Sequence, residues 1–311
     1  MKIFNSIQEF STATKTIITL GTFDGVHKGH KCILDKLINS SKASGCESVV
    51  LTFFPHPRMV LQQNTDLKLL NTMDEKAALL EKAGVDNLII HPFDMAFSRL
   101  TAEEFVKQIL IDSLNIQKII IGHDHRFGRN RTANIDDLIN FGQEYGFEVE
   151  KISALAVNEI SVSSTKIRNA LTEGNLDLAN DFLGYPYFIN GTVVQGKQLG
   201  RTINFPTANI QPSENYKLIP ANGVYVASSV INGKTVKGMM NIGTRPTVNG
   251  IGITIEVHYH DFNEDLYGQQ LKVSIHHRLR DEVKFESFDA LKDQLEKDRQ
   301  ESLAWFNNNS L

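Results

Sequence analysis

The chain has 311 residues, 41% hydrophobic and 22% charged, which excludes a disordered or fibrous protein. That length accommodates two domains of roughly 100–200 residues each. A net charge of −4 gives no global basic field of the kind nucleic-acid binders use, so small molecules are the expected partners and nucleic acid is not.

The segment from Met1 to Ile18 holds no apolar run of signal-peptide length, and nothing in the chain approaches the roughly 18–20 consecutive apolar residues of a membrane span. No membrane partner and a cytoplasmic location are expected. Cys32 and Cys46 follow no metal or redox spacing and are expected as reduced thiols. In chain order, Ile17–Leu20, Val49–Phe53, Asn87–His91, Lys118–Gly122 and Phe147–Ile152 read as strands, alternating with helical patterns such as Asp74–Ala83 and Ala102–Asp112. The alternation predicts an α/β domain with a doubly wound parallel sheet, whose ligands sit beyond the carboxyl ends of the strands. Gly21–His30 and Gly122–Asn130 each follow a strand directly and are expected to share one crevice.

After Gly174 the pattern changes. Phe188–Val194, Gly223–Ile231, Thr235–Ile242, Thr254–Tyr259 and Gln270–His276 read as strands, punctuated by Asn-Gly pairs at 190–191, 222–223, 232–233 and 249–250, the favoured hairpin dipeptide. An antiparallel β-barrel is predicted, closed by a C-terminal amphipathic helix carrying Phe288, Leu291, Leu295, Leu303 and Phe306. A boundary near Gly184 gives domains 1–184 and 185–311.

Three segments carry chemistry on their own residue types. Gly21, Phe23, Gly25, His27 and His30 lie between a strand and a helix, so two imidazoles stand at a helix mouth, where free N–H groups and the macrodipole favour an anion. Gly29 between the histidines is expected to keep space open for a ligand. The same spacing also suits a metal half-site or a merely polar first turn. Ser163, Ser164, Thr165 and Arg168 open a second helix, which reads either as an anion cradle or as a capped helix. In the barrel, Glu256 alternates with Thr254 and His258 on one strand face. Gly191–Gln198 nearly spells a phosphate-binding P-loop, but Gln198 stands where the hydroxyl that holds Mg²⁺ would be, so the match is coincidental.

The decapeptide Gly21–His30 resembles the GxFDGxHxGH signature of the HxGH nucleotidylyltransferases, the FAD synthetase branch in particular. Ser163–Arg168 is similar to the triphosphate-binding motif of that family. The resemblance implies that Ser163, Ser164, Thr165 and Arg168 grip the leaving pyrophosphate while His27 and His30 stabilise the α-phosphoryl group, with Gly21, Phe23 and Gly25 lining the ATP site. Pro55 and His56 fall in a PHP-like motif, and Asp124 and Phe127 in a loop that resembles the family's Gly-x-Asp/Asn-Phe-x-Phe-Gly, which implies flavin contacts; His125 stands where the family usually has Phe and Phe54 where it often has an acidic residue. Farther on, Gly196, Gly200, Arg201 and Phe205–Asn209 resemble the riboflavin kinase signature, with Asn204 in place of the usual Gly; Asn tolerates positive φ, so the turn is expected to survive. By that resemblance Gly196, Gly200 and Arg201 bind ATP, Thr207 and Asn209 ligate Mg²⁺, Glu256 is the base and Arg280 contacts flavin.

The whole is similar to the bifunctional riboflavin kinase and FAD synthetase family. What this implies is phosphorylation of riboflavin to FMN with MgATP in the C-terminal domain and adenylylation of FMN to FAD in the N-terminal one. Three alternatives remain open at this point: a monofunctional nucleotidylyltransferase with a flavin-binding, non-catalytic barrel, a different HxGH enzyme that charges another phosphomonoester, and a non-enzymatic flavin sensor.

Overall fold

A computed structural model describes residues 1–62, 66–122, 126–152, 162–196, 200, 203–247 and 250–309. The chain divides into two compact units, Met1–Ser164 and Thr165–Leu311.

In the first unit six strands form one sheet: β1 (Lys2–Phe4), β2 (Thr16–Leu20), β3 (Glu47–Phe54), β4 (Asn87–Pro92), β5 (Ile116–Gly122) and β6 (Glu148–Ile152). Their order is β1-β4-β3-β2-β5-β6 with every pair parallel. Side chains alternate across a strand, so neighbouring residues sort to opposite faces. Ile18, Val49, Leu51, Ile89, Ile119 and Ile121 pack in one core, while Ile17, Val50, Leu88 and Ile120 pack in another. Both faces are thus covered, which is why these strands read as continuous apolar runs. The helices of this unit are α1 (Lys28–Ser44), α2 (Pro57–Leu61), α3 (Met73–Ala83), α4 (Ala102–Glu104, continued by the π-wound Phe105–Ser113) and α5 (Ile135–Tyr145). Leu34, Leu37 and Leu80 bring α1 and α3 to the second core, and Phe105, Val106, Ile109 and Leu138 bring α4 and α5 to the first. From β2 the chain builds outward through β3 and β4, then returns to place β5 on the other side of β2. In open parallel sheets such a reversal is where ligands bind, beyond the carboxyl ends of the strands, and α1 starts just after the carboxyl end of β2.

The second unit carries α6 (Ser164–Thr172, its first residue counted with the first unit), α7 (Leu176–Leu183) and a closed barrel. Its strands are β7 (Tyr187–Val194), β8 (Ala208–Pro212), β9 (Gly223–Ile231), β10 (Lys234–Thr247), β11 (Gly250–Tyr259) and β12 (Gln270–Arg280). Every observed pairing is antiparallel, in the cyclic order β10-β11-β8-β7-β12-β9. Asn232 and Gly233, at φ 50° and 75°, make the expected hairpin between β9 and β10. Asn190-Gly191 instead lies inside β7, and Asn222-Gly223 leads straight into β9. The last helix, α8 (Phe288–Asn308), also departs from expectation. Its buried positions are Asp298, Ser302 and Phe306, while Phe288 is exposed. A polar pair occupies the stripe because Asp298 and Ser302 meet partners on the barrel, Arg280 and the Gly238 carbonyl.

Candidate active sites

The first site is the link between β2 and α1. Phe23 and Val26 sit at φ 44° and 36°, a region that non-glycine residues enter at a cost of order 1–3 kcal/mol each. Buried hydrogen bonds hold the link in this shape. The Asp24 carboxylate accepts the backbone N–H groups of Leu70 (2.9 Å) and Asn71 (3.3 Å). The Thr22 carbonyl accepts from Lys76 Nζ (2.7 Å) and Thr52 Oγ1 (3.3 Å), and the Asp24 carbonyl from Ser164 Oγ (2.9 Å). Gly21 N–H donates to the Leu51 carbonyl at 3.1 Å and ties the start of the link to β3.

His27 caps α1, its Nδ1 accepting the His30 backbone N–H at 3.3 Å. An accepting Nδ1 puts the proton of the neutral ring on Nε2. The His30 ring stacks on it, centroids 3.7 Å apart and planes 15° from parallel, and the Phe23 ring lies 5.0 Å from that of His30. Burial pushes His27 down to about 4. Burial also takes His30 well below the ordinary imidazole value, helped by the His27 ring and the Lys76 ammonium. Both rings are therefore neutral at pH 7, and each offers one N–H donor beside the positive end of α1. Gly29 does not leave room for a ligand as expected: a Cβ there would stand 3.3 Å from Cε1 and Nδ1 of His27, so the glycine makes room for the ring itself.

Elsewhere in this half, Gly25 supplies a third positive φ of 90° to the link. Pro55 follows β3, and His56 caps α2 with Nδ1 accepting from Arg58 N–H at 3.1 Å. Phe127 is 6% exposed and packs on Phe105 in the first core. Asp124 lies outside the described residues. Ser163 and Ser164 stand at the start of α6, and Thr165 and Arg168 follow on that helix, within the second unit.

In the barrel, register brings the second site together. Glu256 on β11 pairs with Asn209 on β8, and Thr207 stands two residues before Asn209, on the same side of the strand direction. Thr207 Oγ1 donates to Glu256 Oε2 at 3.1 Å. A Cβ on Gly196 would collide with the Asn209 amide, so only glycine permits this approach. Asn204 adopts φ 63°, as expected for the residue that replaces glycine. The Gly200 carbonyl closes the turn by accepting N–H groups from Ile203 (3.2 Å) and Phe205 (2.8 Å). His258 Nδ1 donates to the Pro206 carbonyl at 2.9 Å and steadies the residue before Thr207. Arg201 lies outside the described residues.

Two cavities have Thr207 in their walls. One, about 600 Å³, is lined by Thr207, Ala208, Tyr259, Asp265 and Tyr267. The other, about 270 Å³, is lined by Thr207, Glu256, Gly200, Arg280 and an apolar set that includes Met239, Met240, Leu291 and Leu295. Arg280 reaches this cavity while its guanidinium is bonded to both oxygens of the buried Asp298, at 2.8 and 2.6 Å.

Compared with known proteins, residues 9–166 match the FAD synthetase family model and residues 183–306 the riboflavin kinase model. A bifunctional riboflavin kinase/FMN adenylyltransferase of Haemophilus influenzae is 40% identical, over 93% of this chain and 94% of its own. Proteins of the same name from Escherichia coli K12 and Listeria monocytogenes are 36% and 37% identical, over 96% and 95% of this chain and 96% and 94% of theirs. The chain belongs to the bifunctional riboflavin kinase/FMN adenylyltransferase family. A crystal structure of a macrolide-efflux protein from Streptococcus pneumoniae is also similar, at 32% identity and TM-score 0.88, over 97% of this chain and 98% of that one. Among the described residues no helix is long and apolar enough to cross a membrane.

Family membership gives the donor set in the barrel a specific meaning. The Thr207 hydroxyl, the Asn209 amide and the Glu256 carboxylate are hard oxygen donors brought together by the β8–β11 register, with Thr207 and Glu256 in the wall of the smaller cavity, a set whose chemistry fits Mg²⁺ completed by phosphates and water. No cluster of three or more His, Cys, Asp or Glu residues with metal-holding geometry occurs among the described residues.

Two residues of the sites carry only a faint mark in the sequence. Lys76 falls on the inward stripe of α3 with Met73 and Leu80, and a lysine at an apolar position is the one sign of its role. His258 shares a strand face with Glu256, and its bond to Pro206 gives that alternation a purpose.

Proposed function

We propose that the enzyme phosphorylates riboflavin in a domain spanning 185–311 and adenylylates the resulting FMN to FAD in a domain spanning 1–184, with the residues above in the roles that follow. The observation that carries this reading is the hydrogen-bonded Thr207–Glu256 pair in the wall of the smaller cavity, with Thr207 also lining the larger one. The smaller, apolar cavity suits a planar flavin ring, and the larger one suits a nucleotide. A flavin side-chain hydroxyl and a nucleotide phosphate would then meet at the wall the two share.

In the kinase step Glu256 takes the proton of the attacking ribityl hydroxyl as the new bond forms, so no free alkoxide has to accumulate. The Thr207 hydroxyl orients that carboxylate by donating to it at 3.1 Å, a bond that does not use the Thr207 oxygen lone pairs. Thr207 and Asn209 would hold Mg²⁺, which when bound neutralises charge on the phosphoryl group in transfer. Gly196, Gly200 and Arg201 form the ATP loop. In the adenylyl step the nucleophile is a phosphate, already anionic, and needs no base. His27 and His30 there donate neutral N–H groups to the α-phosphoryl oxygens where charge accumulates, and the helix mouth adds its dipole. Gly21, Phe23 and Gly25 shape that ATP site, and Ser163, Ser164, Thr165 and Arg168 take the pyrophosphate. Pro55, His56, Asp124 and Phe127 serve the flavin of this step, as Arg280 serves it in the barrel. A consumer of ATP with two free cysteines fits a cytoplasmic location.

The test is product chromatography after incubation with riboflavin, ATP and Mg²⁺, and again with FMN as the starting flavin, for wild type and Glu256→Gln. Gln keeps an acceptor for Thr207 and removes the base, so FMN formation is expected to fall about 10²–10⁴-fold. Conversion of FMN to FAD is expected to stay within about twofold. Loss of both activities in a folded variant would overturn the independence of the sites, and FAD from FMN alone in the wild type would support the non-catalytic barrel.

A further inference from the structure

We propose that Lys76 is a positioning residue of the adenylyl-transfer site, its ammonium holding the Gly21–His30 turn in shape through the Thr22 carbonyl. The role rests on the reading of that turn as the adenylyl site. Lys76 lies on α3, 2% exposed, and its Nζ donates to Thr22 O at 2.7 Å. A second, longer contact runs to Met73 Sδ at 3.9 Å within its own helix. On packing alone, this inward position between Met73 and Leu80 would favour an apolar side chain, since burying an ammonium costs more than a methylene chain returns. The cost is visible: burial lowers Lys76 to about 8, against the pull of the Asp24 carboxylate. At neutral pH the ammonium form still dominates.

The same short stretch grips the turn twice more. Leu70 and Asn71 donate their N–H groups to Asp24, and Thr72 caps α3 through a reciprocal box with Glu75, which fixes the helix start from which Lys76 projects. Between Thr22 and Asp24 stands Phe23 with its positive φ, so the two grips bracket the strained residue. Of the bonds that hold the turn, these bear most directly on the residue that presents its ring to His30. Electrostatics adds a second effect. The titratable groups that bear on His30 are His27 from the mouth of α1 and Lys76 from α3, and Lys76 itself faces Asp24 from the turn. A fixed positive charge there disfavours a proton on His30, and so preserves the close stack of two neutral rings.

The test uses the full chain and three readouts: kinetics of FMN-to-FAD conversion, riboflavin kinase activity as a folding control, and the His30 ring titration followed by NMR. For Lys76→Met, kcat for FAD formation is expected to fall at least about tenfold with KM for FMN and ATP within about threefold. The His30 midpoint should move upward, and kinase activity should stay unchanged. Lys76→Arg, which keeps charge and donor, should recover kcat to within about threefold of wild type and return the His30 midpoint. A Met variant within about twofold of wild type overturns the proposal. So does an Arg variant as impaired as Met with kinase activity intact, and so does an unmoved His30 midpoint. Should the Met variant lose both activities through misfolding, the Arg variant decides in the same way. If the wild type itself makes no FAD from FMN, the adenylyl reading fails instead.

Discussion

Removing the Arg280 guanidinium should strip a fully buried carboxylate of its counter-charge and cost the barrel a large part of its stability. Asp298 on α8 takes three hydrogen bonds: Arg280 Nε at 2.8 Å, Arg280 Nη2 at 2.6 Å and Gln294 Nε2 at 2.9 Å. In Arg280→Met only the Gln294 bond remains, and a charged carboxylate is left in the interior. Breaking one side of a buried pair costs about 3–5 kcal/mol, most of it the penalty of the orphaned charge. Replacing both partners with apolar residues removes that penalty, so Arg280→Met with Asp298→Leu should recover most of the loss. Trp305 is the single tryptophan of the chain and lies on α8, so its fluorescence reports unfolding of this unit. With a urea slope of about 2 kcal/mol/M, the single variant should lower the midpoint by roughly 1.5–2.5 M. A shift below about 0.5 M, or a double variant as unstable as the single, would refute the argument from unpaired charge. The double variant also separates the two roles of Arg280, because a raised KM for riboflavin that persists once stability is restored belongs to flavin contact.

Three further outcomes are expected. His27→Ala removes both an N–H donor and the α1 cap, and should lower kcat for FAD formation about 10²–10³-fold while riboflavin phosphorylation continues, which parallel assays of the two products would check. Gly196→Ala pushes a methyl into the Asn209 amide, so KM for MgATP in the kinase reaction should rise about tenfold with FMN adenylylation unaffected. Acid should destabilise the barrel through its buried histidines: burial pushes His260 and His276 down to about 4, so the folded state refuses protons that the unfolded chain takes up near 6.5. Their stabilising contribution is complete above pH 6.5 and is lost as pH falls toward 4, about 1–2 kcal/mol each once residual solvation is allowed for, and urea midpoints at pH 7.5 and 5 with and without His276→Phe would show it.

Periodicity revealed most of the sheet because both faces are buried. Val49, Val50 and Leu51 are each fully buried yet point to different cores, and a run of that kind marks a strand covered on both sides. β1 leaves no such mark because three residues at an exposed edge carry no period. β8 is hidden because it starts inside the Phe205–Asn209 signature, whose Pro and Thr read as a turn. The Asn-Gly pairs mislead where tertiary pairing overrides local preference: Asn190-Gly191 is held extended by its registers with β12 and β8. Likewise α8 reads as an apolar stripe, but a buried ion pair is invisible to a hydrophobic pattern, because Asp298 gains its partner only from a strand that ends 18 positions earlier.

The sites were legible to different depths for a chemical reason. A motif that binds phosphate through backbone and short side chains is local, so Gly21–His30 and Gly196–Asn209 stand out in the sequence. The supports that fix those motifs come from distant segments, Lys76 and Leu70 for the first and His258 for the second, and only the fold joins them. In the proposed roles the two cradles also differ as their nucleophiles differ. A phosphate arriving as an anion requires donors, and the first site presents two neutral imidazoles whose burial keeps them uncharged. A ribityl hydroxyl must lose its proton, and the second site presents a carboxylate held by a hydroxyl at 3.1 Å. Exchanging the two sets would leave each reaction without the group it needs. An imidazole held down at about 4, as in His27, is buried in surroundings that reject the proton a base must accept, while a carboxylate at the helix mouth would repel the incoming phosphate. On the proposed assignment, two units with opposite electrostatic demands let one chain carry both transfers.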